Sequence, residues 1–115
     1  MEFKQLQDKI TKIFLANLKR DKIKVTNDYL MLKITEELGE FVQSYIIHKR
    51  ECRPEKYLSS EKSKKEMAKE LADVIGLAFV ISSSLKIDLE EALIKKWVTR
   101  EWIGKNKTLD EECNP

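Results

Sequence analysis

The stretch that decides the fold is residues 64–85, KKEMAKELADVIGLAFVISSSL. Its apolar residues recur at helical spacing, and its second half, residues 74–81, is apolar on nearly every side. Such an all-round apolar helix is typical of a buried element. The sequence therefore predicts a helix from about residue 64 to 85 that forms the most buried part of the protein.

Three more amphipathic helices are predicted on both sides of this segment. Residues 3–18 carry apolar side chains at helical spacing and are predicted to form the first helix. The second helix is predicted to follow a cap at Thr26, Asn27 or Asp28 and to run to about residue 49. The polar residues 51–63, which contain Pro54, are predicted to form a loop.

The fourth predicted helix begins after Asp88. Glu91 follows three residues later, which gives an acidic variant of the capping box. The helix is predicted to run to about Ile103 and to stop at Gly104. Residues 1–104 are therefore predicted to be one all-α, four-helix bundle-like domain, followed by a flexible tail over residues 105–115.

Composition excludes several classes of protein. The chain has 115 residues with 22 basic and 20 acidic side chains, a net charge of +2 that is not typical of a nucleic-acid-binding protein. Three glycines and two prolines are too few for a β-sandwich, and no apolar run is long enough to span a membrane. Cys52 and Cys113 are isolated, which favours reduced thiols in a cytoplasmic protein.

Two of the predicted helices carry a matched pair of carboxylates. If the second helix is centred on a stripe that includes Ile34 and Phe41, Glu37 lies about 80° and Glu40 about 140° from that centre. Around a stripe that begins at Met67, the carboxylates of Glu70 and Asp73 take the same two offsets. Glu36 falls on the opposite, solvent-facing side. Side-by-side packing of the two helices would therefore bring four acids together.

Four converging acids require a cation, since two carboxylates about 4 Å apart repel by roughly 4 kcal/mol at an effective dielectric constant near 20. Oxygen ligands of this kind suit Mg²⁺, with Mn²⁺ and Ca²⁺ as alternatives. The competing interpretation is that acids at this spacing simply form a solvated helix face. Spacing leaves both interpretations open.

Basic residues offer possible anion contacts. Lys96 and Arg100 fall on the predicted inward stripe of the fourth helix, where they would neutralise acids or bind phosphate; alternatively, they extend to the surface. Lys33 shares the Glu37 side of its helix. The basic residues between positions 62 and 69 are interpreted as solvated surface, with steering of an anionic substrate as the alternative.

The segments Glu36-Glu37-Leu38-Gly39-Glu40 and Glu70-Leu71-Ala72-Asp73, with Ile87-Asp88-Leu89 and Lys96 further on, resemble the signature of the MazG-like nucleotide pyrophosphohydrolases. These belong to the all-α NTP pyrophosphatase superfamily, and the resemblance covers roughly residues 28–100.

The resemblance implies an all-α fold that works as a homodimer or homotetramer. It also implies Mg²⁺-dependent cleavage of nucleoside triphosphates into a monophosphate and pyrophosphate. By position in the motif, the implied metal ligands are Glu37, Glu40, Glu70 and Asp73, and Lys96 would approach the phosphates. The family often has Asn where this chain has Arg100, which bears on the phosphate and base contacts.

Combining residues and resemblance, the sequence predicts catalytic roles for Glu37, Glu40 and Lys96, and substrate contacts by Lys96, Arg100 and Lys33. Nucleotide-pool housecleaning is the biological role that the family suggests. Two alternatives stay open. One is a non-enzymatic helical interaction module that uses the apolar face of Ile94, Val98 and Trp102. The other is a hydrolase of the phosphoribosyl-ATP pyrophosphatase type.

Overall fold

The computed structural model describes residues 1–103, and these residues form helices and connections without a β-strand. The helices are α1 (Phe3–Arg20), α2 (Asn27–His48), α3 (Ser60–Ser84) and α4 (Leu89–Leu93). A short 3₁₀ turn, Pro54–Lys56, lies between α2 and α3, and a π-helical turn, Ile94–Val98, continues α4. The predicted all-α class is confirmed.

Helix α2 begins where a capping residue ends the preceding extended segment. The Thr26 side chain accepts a hydrogen bond from the Tyr29 backbone N–H at 3.1 Å, as one of the three candidate caps predicted. Helix α3 begins four residues before the predicted start, because the Ser59 side chain accepts a hydrogen bond from the Lys62 backbone N–H. The predicted 51–63 loop therefore ends at residue 59.

Helices α2 and α3 pack against each other as an antiparallel pair, and this pair contains the apolar core. Leu30 of α2 is fully buried against Leu77 and Val80 of α3. Phe14, Tyr29, Ile34 and Ile81 pack around these three residues. The buried part of α3 is the predicted one, although Ile75 within it is 48% exposed.

Helix α1 lies on α3 and is held there by one aromatic and one polar contact. The Phe3 and Phe79 rings meet edge to face with centroids 5.1 Å apart. The buried Gln7 amide donates hydrogen bonds to the Phe79 carbonyl and to the Ser82 hydroxyl, at 3.2 and 2.7 Å. Since an unpaired buried amide is costly, these two bonds fix the position of α1 along α3.

The α2 surface that faces α3 differs from the predicted one. The buried residues follow the line Leu30, Glu37 and Ser44, which repeats every seven positions, whereas Leu38 and Tyr45 of the predicted stripe are 51% and 49% exposed. The prediction was wrong by roughly a fifth of a turn. Glu37 therefore points between the helices, where the sequence had placed it at the edge.

Helix α4 is shorter than predicted and packs little against the other helices. Asp88 caps it through the Glu91 backbone N–H, as predicted, and also binds the Lys4 ammonium at 2.8 Å. The helical segment ends at Val98, not near Ile103, and Arg100 takes a positive φ of 62°. The predicted stop at Gly104 and the predicted tail over residues 105–115, with Cys113, lie outside the described residues.

In the part of the chain that the structure describes, no helix combines the length and the apolar character that crossing a membrane requires.

Candidate metal centre

Four carboxylates meet between α2 and α3, as the sequence predicted. They are contributed by Glu37 and Glu40 on α2 and by Glu70 and Asp73 on α3, and we call them the acid cluster. One oxygen each of Glu37, Glu70 and Asp73 lies within 4.8 Å of the other two. Oxygens of Glu36, Glu37 and Glu40 form a second group within the same distance. Glu37 belongs to both groups and is the centre of the cluster.

The antiparallel packing of the two helices explains why the acids meet. On each helix the acids are three residues apart, which places them on neighbouring turns of one side. Because the helices run in opposite directions, the first acid of α2 lies beside the last acid of α3. Glu37 therefore lies beside Asp73, and Glu40 beside Glu70, which agrees with the charge interactions of both pairs.

Burial and mutual repulsion make the acid cluster reluctant to ionise fully. Glu37 is only 8% exposed. Burial raises the pKa of Glu37, and the neighbouring carboxyls of Glu40 and Asp73 raise it further. Burial also raises the pKa of Glu70, and Glu40 and Asp73 act in the same direction. A bound cation would reverse this effect by favouring the charged carboxylates.

Two buried oxygen atoms in the cluster accept no hydrogen bond. Within residues 1–103, the Oε2 atoms of Glu37 and Glu70 are both inaccessible to solvent and have no donor. A buried acceptor without a donor costs free energy, and a buried carboxylate costs more. A divalent cation bound between α2 and α3 would provide a partner for buried carboxylate oxygens of this kind. The donor set therefore fits Mg²⁺ or Mn²⁺, the ions that the sequence predicted.

One lysine accompanies the acid cluster. The Lys33 ammonium lies 2.8 Å from Oε1 of Glu36 and 3.5 Å from Oε1 of Glu37. It lowers the pKa of Glu37, against the stronger effects that raise it. The predicted position of Lys33 beside Glu37 is confirmed. Among residues 1–103, Lys33 is the one cation paired with an acid of the cluster, so most of the charge on its ionised carboxylates is not compensated.

Two cavities extend from the acid cluster in opposite directions along the helix pair. Towards α1 lies a cavity of about 400 Å³, the α1 cavity, lined by Ile10, Ile13, Phe14, Asn17, Glu37, Ala72, Asp73, Gly76 and Leu77. Towards the α2–α3 connection lies a groove of about 630 Å³, the lysine groove, lined by Glu40, Gln43, Ser44, Ile47, Leu58, Lys62, Ser63, Lys65, Glu66, Lys69 and Glu70. Each space is bordered by two of the four acids.

Lys96, one of the two cations predicted on the fourth helix, does not reach the acid cluster within residues 1–103. Lys96 is exposed, and its ammonium lies 5.6 Å from the centroid of the Trp97 ring; within residues 1–103 it contacts none of the four acids. Arg100 is half-buried at the end of the helical segment. Of the two alternatives for Lys96, the described residues show the one in which the side chain extends to the surface, and α4 makes few contacts with α2 and α3.

Sequence reasoning missed the residues that line the two cavities. Lys62, Lys65 and Lys69 were interpreted as solvated surface, but they line a groove that starts at the acid cluster. Their spacing of three and four residues places them on one side of α3, which was a readable signal. His48 is half-buried, and its Nδ1 lies 2.6 Å from the Ser63 hydroxyl at the far end of this groove.

Comparisons of this chain with protein-family models, with curated proteins and with solved structures give no match.

Proposed function

We propose that this protein is a Mg²⁺-dependent nucleoside triphosphate pyrophosphohydrolase. It would cleave (d)NTPs between the α and β phosphates and release a nucleoside monophosphate and pyrophosphate. The observation that carries the proposal is the pair of buried oxygen atoms without donors, Oε2 of Glu37 and Oε2 of Glu70, within a cluster of four acids. Such a cluster suits a cation, and a cation between two cavities suits a polyphosphate.

In this proposal the acid cluster holds Mg²⁺, or Mn²⁺ in its place. When bound, the ion offsets charge on the triphosphate and makes a water molecule more acidic. Glu70 and Asp73 act as ligands from α3, and Glu37 and Glu40 as ligands from α2. Burial and the neighbouring acids Glu40 and Asp73 raise the pKa of Glu70, and an ion bound beside it would favour the charged carboxylate.

Glu37 or Glu40 also receives the proton of the attacking water. A general base works best when its pKa is near the working pH, and the pKa of Glu37 is raised by burial and by its neighbours. Glu40 is more exposed and lines the lysine groove, so it is accessible to solvent water. Lys33 beside Glu37 contacts a phosphate of the substrate and limits the rise in the pKa of Glu37.

Lys96 and Arg100 complete the substrate contacts by approaching the phosphates. Because Lys96 contacts none of the four acids of the cluster within residues 1–103, this role requires a second subunit, which fits the proposed homodimer or homotetramer. Large apolar side chains are exposed in residues 1–103, among them Leu32 at 73% and Ile13 at 61%. Assembly with a second subunit would bury such side chains.

The proposal is tested by an assay of pyrophosphate release from a panel of canonical and modified NTPs and dNTPs, with Mg²⁺ and with chelator. Equal amounts of monophosphate and pyrophosphate, formed only with the metal, are expected. Release of orthophosphate would instead place the cleavage between the β and γ phosphates. A folded protein that cleaves no nucleotide would contradict the proposal.

A second candidate function is that of a helical interaction module. The observation in its favour is the set of apolar side chains exposed on the last helical segment, where Trp97 is 61% exposed and Val98 is 70% exposed. A module of this kind would use the segment to bind another protein and would need no metal. Unfolding midpoints that do not respond to Mg²⁺ or Mn²⁺ would favour it over the hydrolase.

A further inference from the structure

The acid cluster lies between two separate spaces, with Glu37 and Asp73 lining the α1 cavity and Glu40 and Glu70 lining the lysine groove. A substrate cleaved at the acids would therefore have room for a chemical group on each side of the scissile bond.

The α1 cavity suits the nucleoside. Its walls away from the acids are mainly apolar, and the Phe14 ring and the Asn17 amide are the side chains in it that could stack on a base or read its edge. Its volume of about 400 Å³ falls in the range of pockets that enclose small organic ligands.

The lysine groove is larger than a pyrophosphate leaving group requires. It encloses about 630 Å³ and includes apolar side chains, Ile47 and Leu58, which a pyrophosphate would leave uncovered. The other lining side chains are polar and include three lysines and three glutamates, so Ile47 and Leu58 form an apolar patch in a charged groove. An organic group would cover such a patch, whereas phosphates bind through cations and backbone N–H groups. The groove therefore has both a phosphate-binding and an organic part.

Two of the lysines in the groove are available for phosphates. Lys69 is paired with Glu66 at 3.3 Å, but Lys62 and Lys65 form no ion pair among residues 1–103. Along α3, Lys65 lies about 7.5 Å and Lys62 about 12 Å from Glu70. Both lysines therefore line the groove at increasing distance from the acid cluster along the axis of α3.

We propose that the substrates include nucleotides whose leaving group is larger than pyrophosphate, namely dinucleoside polyphosphates, with the second nucleoside in the lysine groove. This inference rests on the proposed function and extends its substrate class. For diadenosine tetraphosphate, water attacks one terminal phosphorus atom and its oxygen bonds to that atom. The anhydride bond to the next phosphate breaks, one proton is released, and the products are AMP and ATP.

The experiment measures initial rates of hydrolysis of ATP and of diadenosine tetraphosphate with Mg²⁺, since the product ATP is itself a substrate. Lys65→Ala is expected to lower kcat/KM for diadenosine tetraphosphate roughly tenfold, the value of one charged hydrogen bond, and to affect ATP less. Lys64→Ala is the matched control, because Lys64 is exposed on the same helix and does not line the groove.

The possible outcomes separate the inference from the proposed function. Cleavage of ATP without cleavage of diadenosine tetraphosphate would overturn the inference and leave the proposed function standing. The inference would also be overturned by two ADP products, or by equal effects of the Lys64 and Lys65 variants on diadenosine tetraphosphate. If neither compound nor any nucleotide of the panel is cleaved, both fail. AMP and ATP as products, with the selective Lys65 effect, would support the inference.

Discussion

The α2–α3 interface has an apolar half and an acidic half. At the start of α2 the inward position is Leu30, fully buried against Leu77 and Val80. Two turns later the same inward position is Glu37, buried among other acids. The apolar half stabilises the fold by excluding water, while the acidic half costs stability because carboxyl groups are buried next to one another. The apolar contacts of this helix pair therefore keep the four acids close together although the acids repel one another.

The largest expected effect is on activity, from removing an acid. Glu70→Gln should lower metal-dependent turnover at least about 100-fold, because even residues that only support metal ligands cost that much when changed. Without metal, the variant should be as stable as the original protein or more so, since one repelling charge is gone. Pyrophosphate release and urea unfolding measure the two quantities.

Glu61→Gln is the control for this variant, because Glu61 is an exposed acid in the first turn of the same helix. Its activity should be unchanged. Near-normal turnover by Glu70→Gln would show that the acid cluster is not the active site.

The second largest expected effect is a loss of stability when the apolar half of the α2–α3 interface is changed. Leu30→Ala should lower the free energy of unfolding by about 3 kcal/mol, because it removes buried methyl groups and leaves a cavity beside Leu77 and Val80. Leu32→Ala makes the same substitution at a side chain that is 73% exposed, and it should change the free energy of unfolding by less than about 0.5 kcal/mol. Chemical denaturation of both variants tests the comparison; equal losses would contradict the core assignment.

A smaller effect is expected from pH. The folded-state pKa values of Glu37 and Glu70 are raised above the usual 4.5, so the folded protein holds these protons more tightly than the unfolded chain. Stability without metal should therefore fall as pH rises from about 4.5 through the raised values. Mg²⁺ should restore stability at the upper end, where both carboxyls are ionised. Unfolding curves across this range, with chelator and with Mg²⁺, measure both slopes.

Glu37→Gln provides the control for the pH effect. Since Gln does not titrate, the slope of stability against pH should become flatter, and the gain from Mg²⁺ should shrink. A slope that is unchanged in this variant would assign the pH dependence to other groups.

The smallest expected effect comes from the one lysine beside the acids. Lys33→Ala should lower stability without metal by about 0.5 kcal/mol, because the pairs with Glu36 and Glu37 are lost. The loss should shrink with added salt, which screens partly exposed pairs. Thermal unfolding at low and high salt measures it, and a loss that does not depend on salt would indicate a packing effect.

The sequence was sufficient to predict the all-α class, the helix starts at Thr26 and Asp88, and the convergence of the four acids. It was not sufficient to orient α2. The buried face of a helix is predicted from the positions of all its apolar residues. In α2 these include Leu38 and Tyr45, which are half-exposed in the structure. A buried acid such as Glu37 counts as polar in such a prediction, so it shifts the predicted stripe away from the true interface.

The remaining differences have local causes. The start of α3 after Ser59 could have been predicted from the sequence, because Glu61 follows in the first turn, where an acid is favourable. The sequence does not predict that the last helical segment ends before Arg100, since arginine has no particular preference for a positive φ. Whether α4 packs on its own chain depends on tertiary contacts and cannot be inferred from its amphipathic pattern.

The short connection between α2 and α3 has a consequence for the order of folding. Contacts such as those between His48 and Ser63 join residues only 15 positions apart, and contacts of low sequence separation form quickly. We expect the helix pair to form first and α1 to dock later through Gln7. The acids would then meet at an early stage of folding. Mg²⁺ should therefore accelerate refolding, as well as slow unfolding.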